Sequence, residues 1–119
     1  MRKWPTSAAM PKPEASPERV AALFDALGDR RRLALLSTLG GGPKSIVELA
    51  RGGEISRQAL TKHLRILEGA GLVRGDRIGR EVRFRIEREA MMQAQAFLAT
   101  VSSQWEEALQ RLARHVEEH

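Results

Sequence analysis

The chain is 119 residues long, with 42% hydrophobic and 29% charged residues, which is enough for one domain with a modest core and too short for two. Its formal net charge is +5 and its pI about 10.7, and its basic residues are mostly arginine, which suits planar contact with phosphate and base edges. The chain contains no cysteine, which excludes disulfides, thiolate metal sites and thiol catalysis.

Residues 1–16 differ in composition from the rest of the chain. They hold three of the five prolines together with small and charged residues, so we expect a flexible N-terminal arm followed by one domain over residues 17–117. The arm lacks the continuous apolar core of a secretion signal, and no apolar run approaches the roughly 20 residues of a membrane span. The chain is therefore expected to be cytoplasmic, with no membrane partner.

Two helices are predicted at the start of the domain. Ser16 is positioned to cap the first helix, Pro17 suits its first position, and Gly28 ends it. The apolar residues of this helix recur at helical spacing: Val20, Leu23, Phe24 and Leu27. Asp29 is positioned to cap the second helix, which the glycines and proline of residues 40–43 end. The leucines predicted to point inward from it are Leu33, Leu36 and Leu39.

The next two helices are short and are separated by a turn. Ser45 is positioned to cap the third helix, and Gly52 and Gly53 stop it. Ser56 is positioned to cap the fourth, which runs through SRQALTKHLRILE. The apolar residues on one side of this helix are Leu60, Leu64 and Leu67. Its other sides carry hydroxyl, amide and basic side chains, with no acidic residue before Glu68.

From Leu72 the apolar pattern changes from helical spacing to alternation, which predicts a β-hairpin. The first arm is expected from Leu72 to Arg77, and Gly79 lies at the turn. The second arm is expected to be a half-buried strand whose apolar residues are Val82, Phe84 and Ile86. Two arginines, Arg77 and Arg80, therefore flank the tip of the hairpin.

A long final helix is predicted after Glu87. Its apolar residues recur every three or four positions: Met91, Ala94, Leu98, Val101, Trp105, Leu109, Leu112 and Val116. A small domain cannot cover so long a stripe, so we expect a homodimer in which the helix packs against its own copy. The predicted dimer residues of the first and last helices are Val20, Leu23, Phe24, Leu98, Val101, Trp105, Leu109 and Leu112. Trp105 could instead floor a small-molecule pocket, although a dimer core is favoured.

Four helices, a hairpin and a final helix form a winged helix-turn-helix arrangement, a mainly α fold with a two-stranded β wing. The chain resembles the ArsR family of bacterial repressors from Ala22 to Ile86, in the segments FDALGDRRRLALLSTL, SIVELARGGEISRQALTKHLRILEGAGLV and GDRIGREVRFRI. The resemblance implies a homodimer that covers an operator, blocks transcription and is released by a metal or another signal. Two departures concern the turn, where Gly53 and Glu54 stand in place of an apolar residue and a glycine, and residues 45–48, which lack the cysteines of metal-sensing members.

In this arrangement the fourth helix reads double-stranded DNA, the expected partner besides a second copy of the chain. The predicted DNA-contacting residues are Ser56, Arg57, Gln58, Thr61, Lys62, His63, Arg77 and Arg80. Arg57 suits guanine and Gln58 suits adenine, whereas the others are expected to hold phosphates or enter the minor groove. For His63, packing against the second helix is an equal alternative. Arg83 and Arg85 are expected only to be solvated at an exposed edge.

Two other interpretations are open. A winged-helix scaffold for protein–protein interaction would not need the reading residues of the fourth helix. A metal-responsive sensor could use His115, Glu118 and His119, but the matching positions earlier in the helix, near Ser102 and Gln104, hold poor ligands, so no metal or other cofactor is expected. Catalysis finds no support, because the chain has neither a phosphate-binding glycine loop nor a paired-carboxylate pattern.

Overall fold

The helices and the hairpin follow one another in the order that the sequence predicts. The computed structural model describes residues 15–118, so the predicted arm lies outside the described residues except for its last two positions. The elements are α1 (Pro17–Leu27), α2 (Arg30–Leu39), β1 (Lys44–Ser45), α3 (Ile46–Ala50), α4 (Arg57–Gly69), β2 (Val73–Ile78), β3 (Glu81–Ile86) and α5 (Arg88–Glu118). Within residues 15–118 no helix combines the length and apolar character needed to cross a bilayer.

The predicted caps begin the first four helices. In each case a side-chain oxygen accepts hydrogen bonds from backbone N–H groups of the first turn, at Ser16, Asp29, Ser45 and Ser56. The Asp29 carboxylate accepts from the N–H groups of Arg32 and Arg31, at 3.2 and 2.7 Å. The bond from Arg32 is the largest cause that lowers the pKa of Asp29. Because the ionised form is the bonded one, this cap is lost as the pH falls through that lowered pKa.

The core forms where α1, α2 and α4 meet the sheet and the start of α5. Its largest fully buried side chains are Leu23, Leu60, Leu64, Leu67, Leu72 and Val73. Leu33, predicted to point inward, is instead 51% exposed. The inward side of α2 is centred on Leu36 and Leu39, and at 100° per residue Arg32 falls on that side while Leu33 is rotated away from it. The spacing of Leu33, Leu36 and Leu39 at every third residue did not indicate which of these leucines the core would cover.

Leu64 is a core residue of α4 and is fully buried. We expect Leu64→Ala to lower the free energy of unfolding by about 2–5 kcal/mol, since it removes buried contacts and leaves a cavity. Urea unfolding followed by circular dichroism at one fixed protein concentration measures the change. The matched control is Leu33→Ala on the exposed side of α2, which should change the free energy by no more than about 0.5 kcal/mol. Equal effects of the two substitutions would contradict this assignment of the core.

The sheet has three strands in the order β1-β3-β2, all antiparallel. The long hairpin of β2 and β3, called the wing below, was predicted, and Gly79 lies at its turn with φ +66°. Strand β1 was not predicted: it is two residues long and pairs Lys44 with Phe84 and Ser45 with Arg83. A segment of that length is too short for an alternating pattern to be recognised.

The final helix α5 extends well beyond the other elements. With α5 included, the described structure measures 67 × 30 × 26 Å. The first turns of α5 are held by the core, where Ala90 and Ala94 are buried. Phe97 of α5 also packs on Phe24 of α1, with ring centroids 5.7 Å apart. Past that point nearly every residue is exposed, so nothing among residues 15–118 covers the distal half of α5.

Candidate nucleic-acid interface

Helix α4 has two opposite sides of different chemistry. Leu60, Leu64 and Leu67 are completely buried on the inner side. The outer side forms a shallow groove lined by Gln58, Thr61, Lys62, Arg65 and Ile66. These residues recur at intervals of three and four, so they share one helix face. That face presents an amide, a hydroxyl and two positive charges to solvent.

The hydroxyl groups near the start of α4 differ in what they can offer a ligand. Ser56 Oγ accepts the N–H of Ala59 at 3.1 Å, so its own hydroxyl hydrogen can still be donated to a phosphate. Thr61 Oγ1 donates to the carbonyl oxygen of Arg57 at 2.8 Å. The Thr61 hydrogen is therefore used within the helix, and Thr61 must rotate before it can donate to a phosphate.

His63 does not share the outer face of α4. It is half-buried beside α2, where its Nδ1 lies 3.5 Å from Nη1 of Arg32. Arg32 is held there because its Nε donates to the carbonyl oxygen of Ala26 at 2.6 Å. Of the two alternatives for His63, the structure therefore shows the contact with the second helix. Contact of His63 with a phosphate stays a prediction.

Two arginines of the wing are neutralised by carboxylates, contrary to the expectation that they would only be solvated. Arg85 bonds Asp76 at 2.7 Å and Glu87 at 2.8 Å, and the hydrogen bond with Asp76 is the main cause that raises the pKa of Arg85. Arg83 pairs with Glu81 at 3.2 Å. Asp76 of β2 is paired with Arg83 of β3, and its carboxylate reaches diagonally to Arg85. The register of the two strands therefore brings these charges together.

The tip of the wing differs from its base. Arg77 and Arg80 are exposed on either side of the Gly79 turn, with Ile78 between them, and within residues 15–118 neither arginine forms an ion pair. Their charges are therefore available to an anion from outside the chain.

Two glutamates fix the wing to the neighbouring helices. Glu48 completes a capping box with Ser45 at the start of α3, and it lies 3.5 Å from Arg83 of β3. The backbone hydrogen bond from Ser45 is the largest cause that lowers the pKa of Glu48. Glu68, the one acidic residue of α4, accepts the backbone N–H of Gly75 in β2 at 3.3 Å. Helices α3 and α4 and the wing thus form one connected unit.

Arg65 is a further candidate contact residue, beyond those predicted from the sequence. It lies two turns after Gln58 on the outer face of α4 and is exposed. The signal was present, because Gln58, Thr61, Lys62 and Arg65 follow the same helical spacing as the leucines opposite. Ile66, an exposed apolar side chain, completes that face.

The predicted dimer residues fall into two groups. The residues of α5 form an exposed apolar stripe that consists of Leu98, Val101, Trp105, Leu109 and Leu112, with Trp105 64% exposed. In α1, Val20 and Leu23 are buried by the chain itself, and Phe24 is half-buried against Phe97. Of the predicted dimer residues, those of α5 are therefore exposed, whereas those of α1 are covered wholly or partly by their own chain.

The C-terminal histidine site is only partly within the described residues. His115 and Glu118 lie on the last turns of α5, and His119 lies outside the described residues. Among residues 15–118, no three His, Cys, Asp or Glu side chains converge as a metal site would require.

A three-helix unit that exposes its last helix beside a β-hairpin is a winged helix-turn-helix domain. A family model described as a helix-turn-helix domain matches residues 27–76. The HTH-type transcriptional regulator YgaV of Escherichia coli is 33% identical over 91 residues, which cover 76% of this chain and 89% of YgaV. Other curated relatives include two named as transcriptional repressors, and the chain spans about half the length of each.

Solved structures give the same result. An ArsR-like transcriptional regulator from Rhodococcus sp. RHA1 is 32% identical with a TM-score of 0.72, over 82% of this chain and 92% of that one. A homodimeric winged helix-turn-helix DNA-binding domain from Mycobacterium bovis is 27% identical with a TM-score of 0.60, over 72% of this chain and 80% of that one. The chain belongs to the ArsR family of transcriptional regulators, which are not enzymes.

Proposed function

We propose that this protein is a homodimeric transcriptional repressor that binds an inverted-repeat operator in double-stranded DNA. The observation that carries the proposal is the division of charge on one side of the molecule. Within residues 15–118 the basic side chains on the outer face of α4 and at the tip of the wing form no ion pair, while Arg83 and Arg85 at the base of the wing are neutralised by carboxylates. A scaffold for protein partners would not need this separation.

In the proposed complex α4 lies in the major groove and is the reading helix. Arg57 and Gln58, at its N-terminal end, are exposed and suit guanine and adenine edges. Lys62 and Arg65 lie further along the same side and would hold phosphates, as would the Ser56 hydroxyl. The wing tip would reach a phosphate or the adjacent minor groove.

The proposed dimer sets the form of the operator. Two copies related by a two-fold axis would present two reading helices, so the operator should be an imperfect inverted repeat with half-sites about one helical turn apart, or a multiple of that. The homodimeric relative from Mycobacterium bovis and the relatives named as repressors support this proposal. We place the protein in the cytoplasm, where bacterial DNA lies.

Selection from a pool of random-sequence duplexes tests the proposal. The wild-type chain should enrich one inverted repeat, and footprinting on a selected duplex should protect both half-sites. The scaffold interpretation predicts that no sequence is enriched and that any DNA binding is weak and lost at moderate salt. Protection of one isolated half-site would contradict the proposed dimer on DNA.

Phosphate contacts have a separate prediction. Lys62→Ala, Arg77→Ala or Arg80→Ala should weaken binding to all DNA alike, because each side chain is expected to contact a phosphate and not a base. Each should flatten the slope of log K against log salt by about one per half-site, or about two across a symmetric dimer. Fluorescence anisotropy over a salt series measures this. Arg114→Ala, which removes the same charge from the far end of α5, is the control and should leave the slope unchanged.

A further inference from the structure

One arginine side chain joins three helices behind the reading surface. Arg19 lies in the first turn of α1, where its backbone N–H donates to Ser16 Oγ at 3.0 Å. Its Nη1 donates to the carbonyl oxygen of Ala70 at 2.6 Å, and its Nε donates to Oε1 of Gln93 at 3.1 Å. Ala70 is the C-cap of α4, and Gln93 belongs to α5. A single guanidinium therefore connects α1, α4 and α5.

The end of α4 is suited to receive this group. The last carbonyl groups of a helix lack partners within the helix and carry partial negative charge, so a cation that bonds one of them also complements the helix dipole. The next residue, Gly71, has φ +77°, and a Cβ built on it would lie 2.7 Å from Nη2 of Arg19. Glycine at this position both turns the chain and leaves room for the guanidinium.

We propose that Arg19 is a positioning residue that fixes the angle of α4 relative to α1 and α5. This angle would set the spacing between half-sites that the dimer can bind. The inference rests on the proposed function, in which α5 carries the dimer contact and α4 reads DNA. The planar guanidinium can hold two acceptors in fixed directions, which a lysine ammonium cannot do with the same geometry. Each copy of the dimer has its own Arg19 and its own α4. A rotation of α4 therefore shifts the reading helix at both half-sites.

The test compares the operators that different variants select from one pool of random-sequence duplexes. The wild type should select inverted repeats of a single spacing. Arg19→Met keeps most of the apolar stem but has no donor, so it should select the same half-site sequence over several spacings. It should also bind an operator of the wild-type spacing about tenfold more weakly than the wild type does. A broadened spacing with an unchanged half-site is a result that a mere loss of stability would not produce.

Two further variants keep the test decisive. Gln93→Leu removes only the acceptor on α5, so it should broaden the spacing even if Arg19→Met fails to fold. Arg114→Met removes an equal charge from an exposed position on α5 and should select the wild-type spacing. Sedimentation of each variant at the concentration used for selection checks that it remains dimeric.

The possible outcomes distinguish a failure of this inference from a failure of the proposed function. If folded, dimeric Arg19→Met or Gln93→Leu selects the single wild-type spacing with wild-type affinity, Arg19 does not position α4 and the inference is wrong, while the DNA-binding function stands. If the wild type enriches no inverted repeat, the proposed function fails, and this inference fails with it.

Discussion

Leu98→Glu or Trp105→Glu should convert the protein to a monomer. Both side chains belong to the apolar stripe of α5, and they are 54% and 64% exposed in the single chain. In the proposed dimer each would face its own copy, so a glutamate there would bring two negative charges together and expose apolar area. We expect sedimentation at micromolar concentration to show a dimer for the wild type and a monomer for either variant.

The same variants should lose operator binding, because a monomer engages one half-site without the second. The expected loss is about 100-fold or more in affinity, the usual gain from joining two binding units. Ser103→Glu introduces the same charge on the opposite side of α5, only two positions from Trp105, and should remain dimeric. A wild-type chain that sediments as a monomer would show that the stripe does not form a dimer at this concentration, and the dimer proposal would be abandoned.

Gln58→Ala and Arg57→Ala should remove base discrimination. Each bidentate contact with a base is worth about 1–3 kcal/mol, and both half-sites of a symmetric operator lose it. Gln58 is the sharper position, because it is uncharged and its loss should leave binding to random duplexes unchanged. Competition between the selected operator and random DNA, measured at one fixed salt concentration, gives the specificity ratio directly.

Gln110→Ala is the matched control for this experiment. It makes the same substitution at an exposed position of α5, away from the reading helix, and should leave both affinities unchanged. If Arg57→Ala and Gln58→Ala also leave specific and random binding unchanged, the outer face of α4 is an ordinary solvated surface. The basic wing tip would then account only for non-specific attraction.

The elements that the sequence predicted well are those with local signals. A capping side chain bonds a backbone group two or three residues away, so Ser16, Asp29 and Ser56 could be recognised without any knowledge of tertiary structure. Gly79 marked the hairpin for the same reason, because its positive φ is a property of the turn itself. The leucine side of α4 followed from helical spacing alone.

The features that escaped prediction depend on partners distant in the chain. Pairing of Arg85 with Asp76 requires the register of β2 on β3, which the hydrophobic pattern does not specify for charged positions. His63 could be assigned to α2 only once Arg32 was known to lie beside it. The bonds of Arg19 to Ala70 and Gln93 span 51 and 74 residues of sequence, beyond the reach of any local pattern.

The two sides of α4 also bear on how such a protein can change over generations. Leu60, Leu64 and Leu67 are fully buried in the core, whereas Gln58, Lys62 and Arg65 are exposed. Substitutions at exposed positions of this kind alter the free energy of unfolding by no more than about 0.5 kcal/mol. After a gene duplication, one copy could therefore acquire a different target sequence through a few mutations that selection for folding does not oppose. The leucines would remain fixed while the regulatory connections of the two copies diverge.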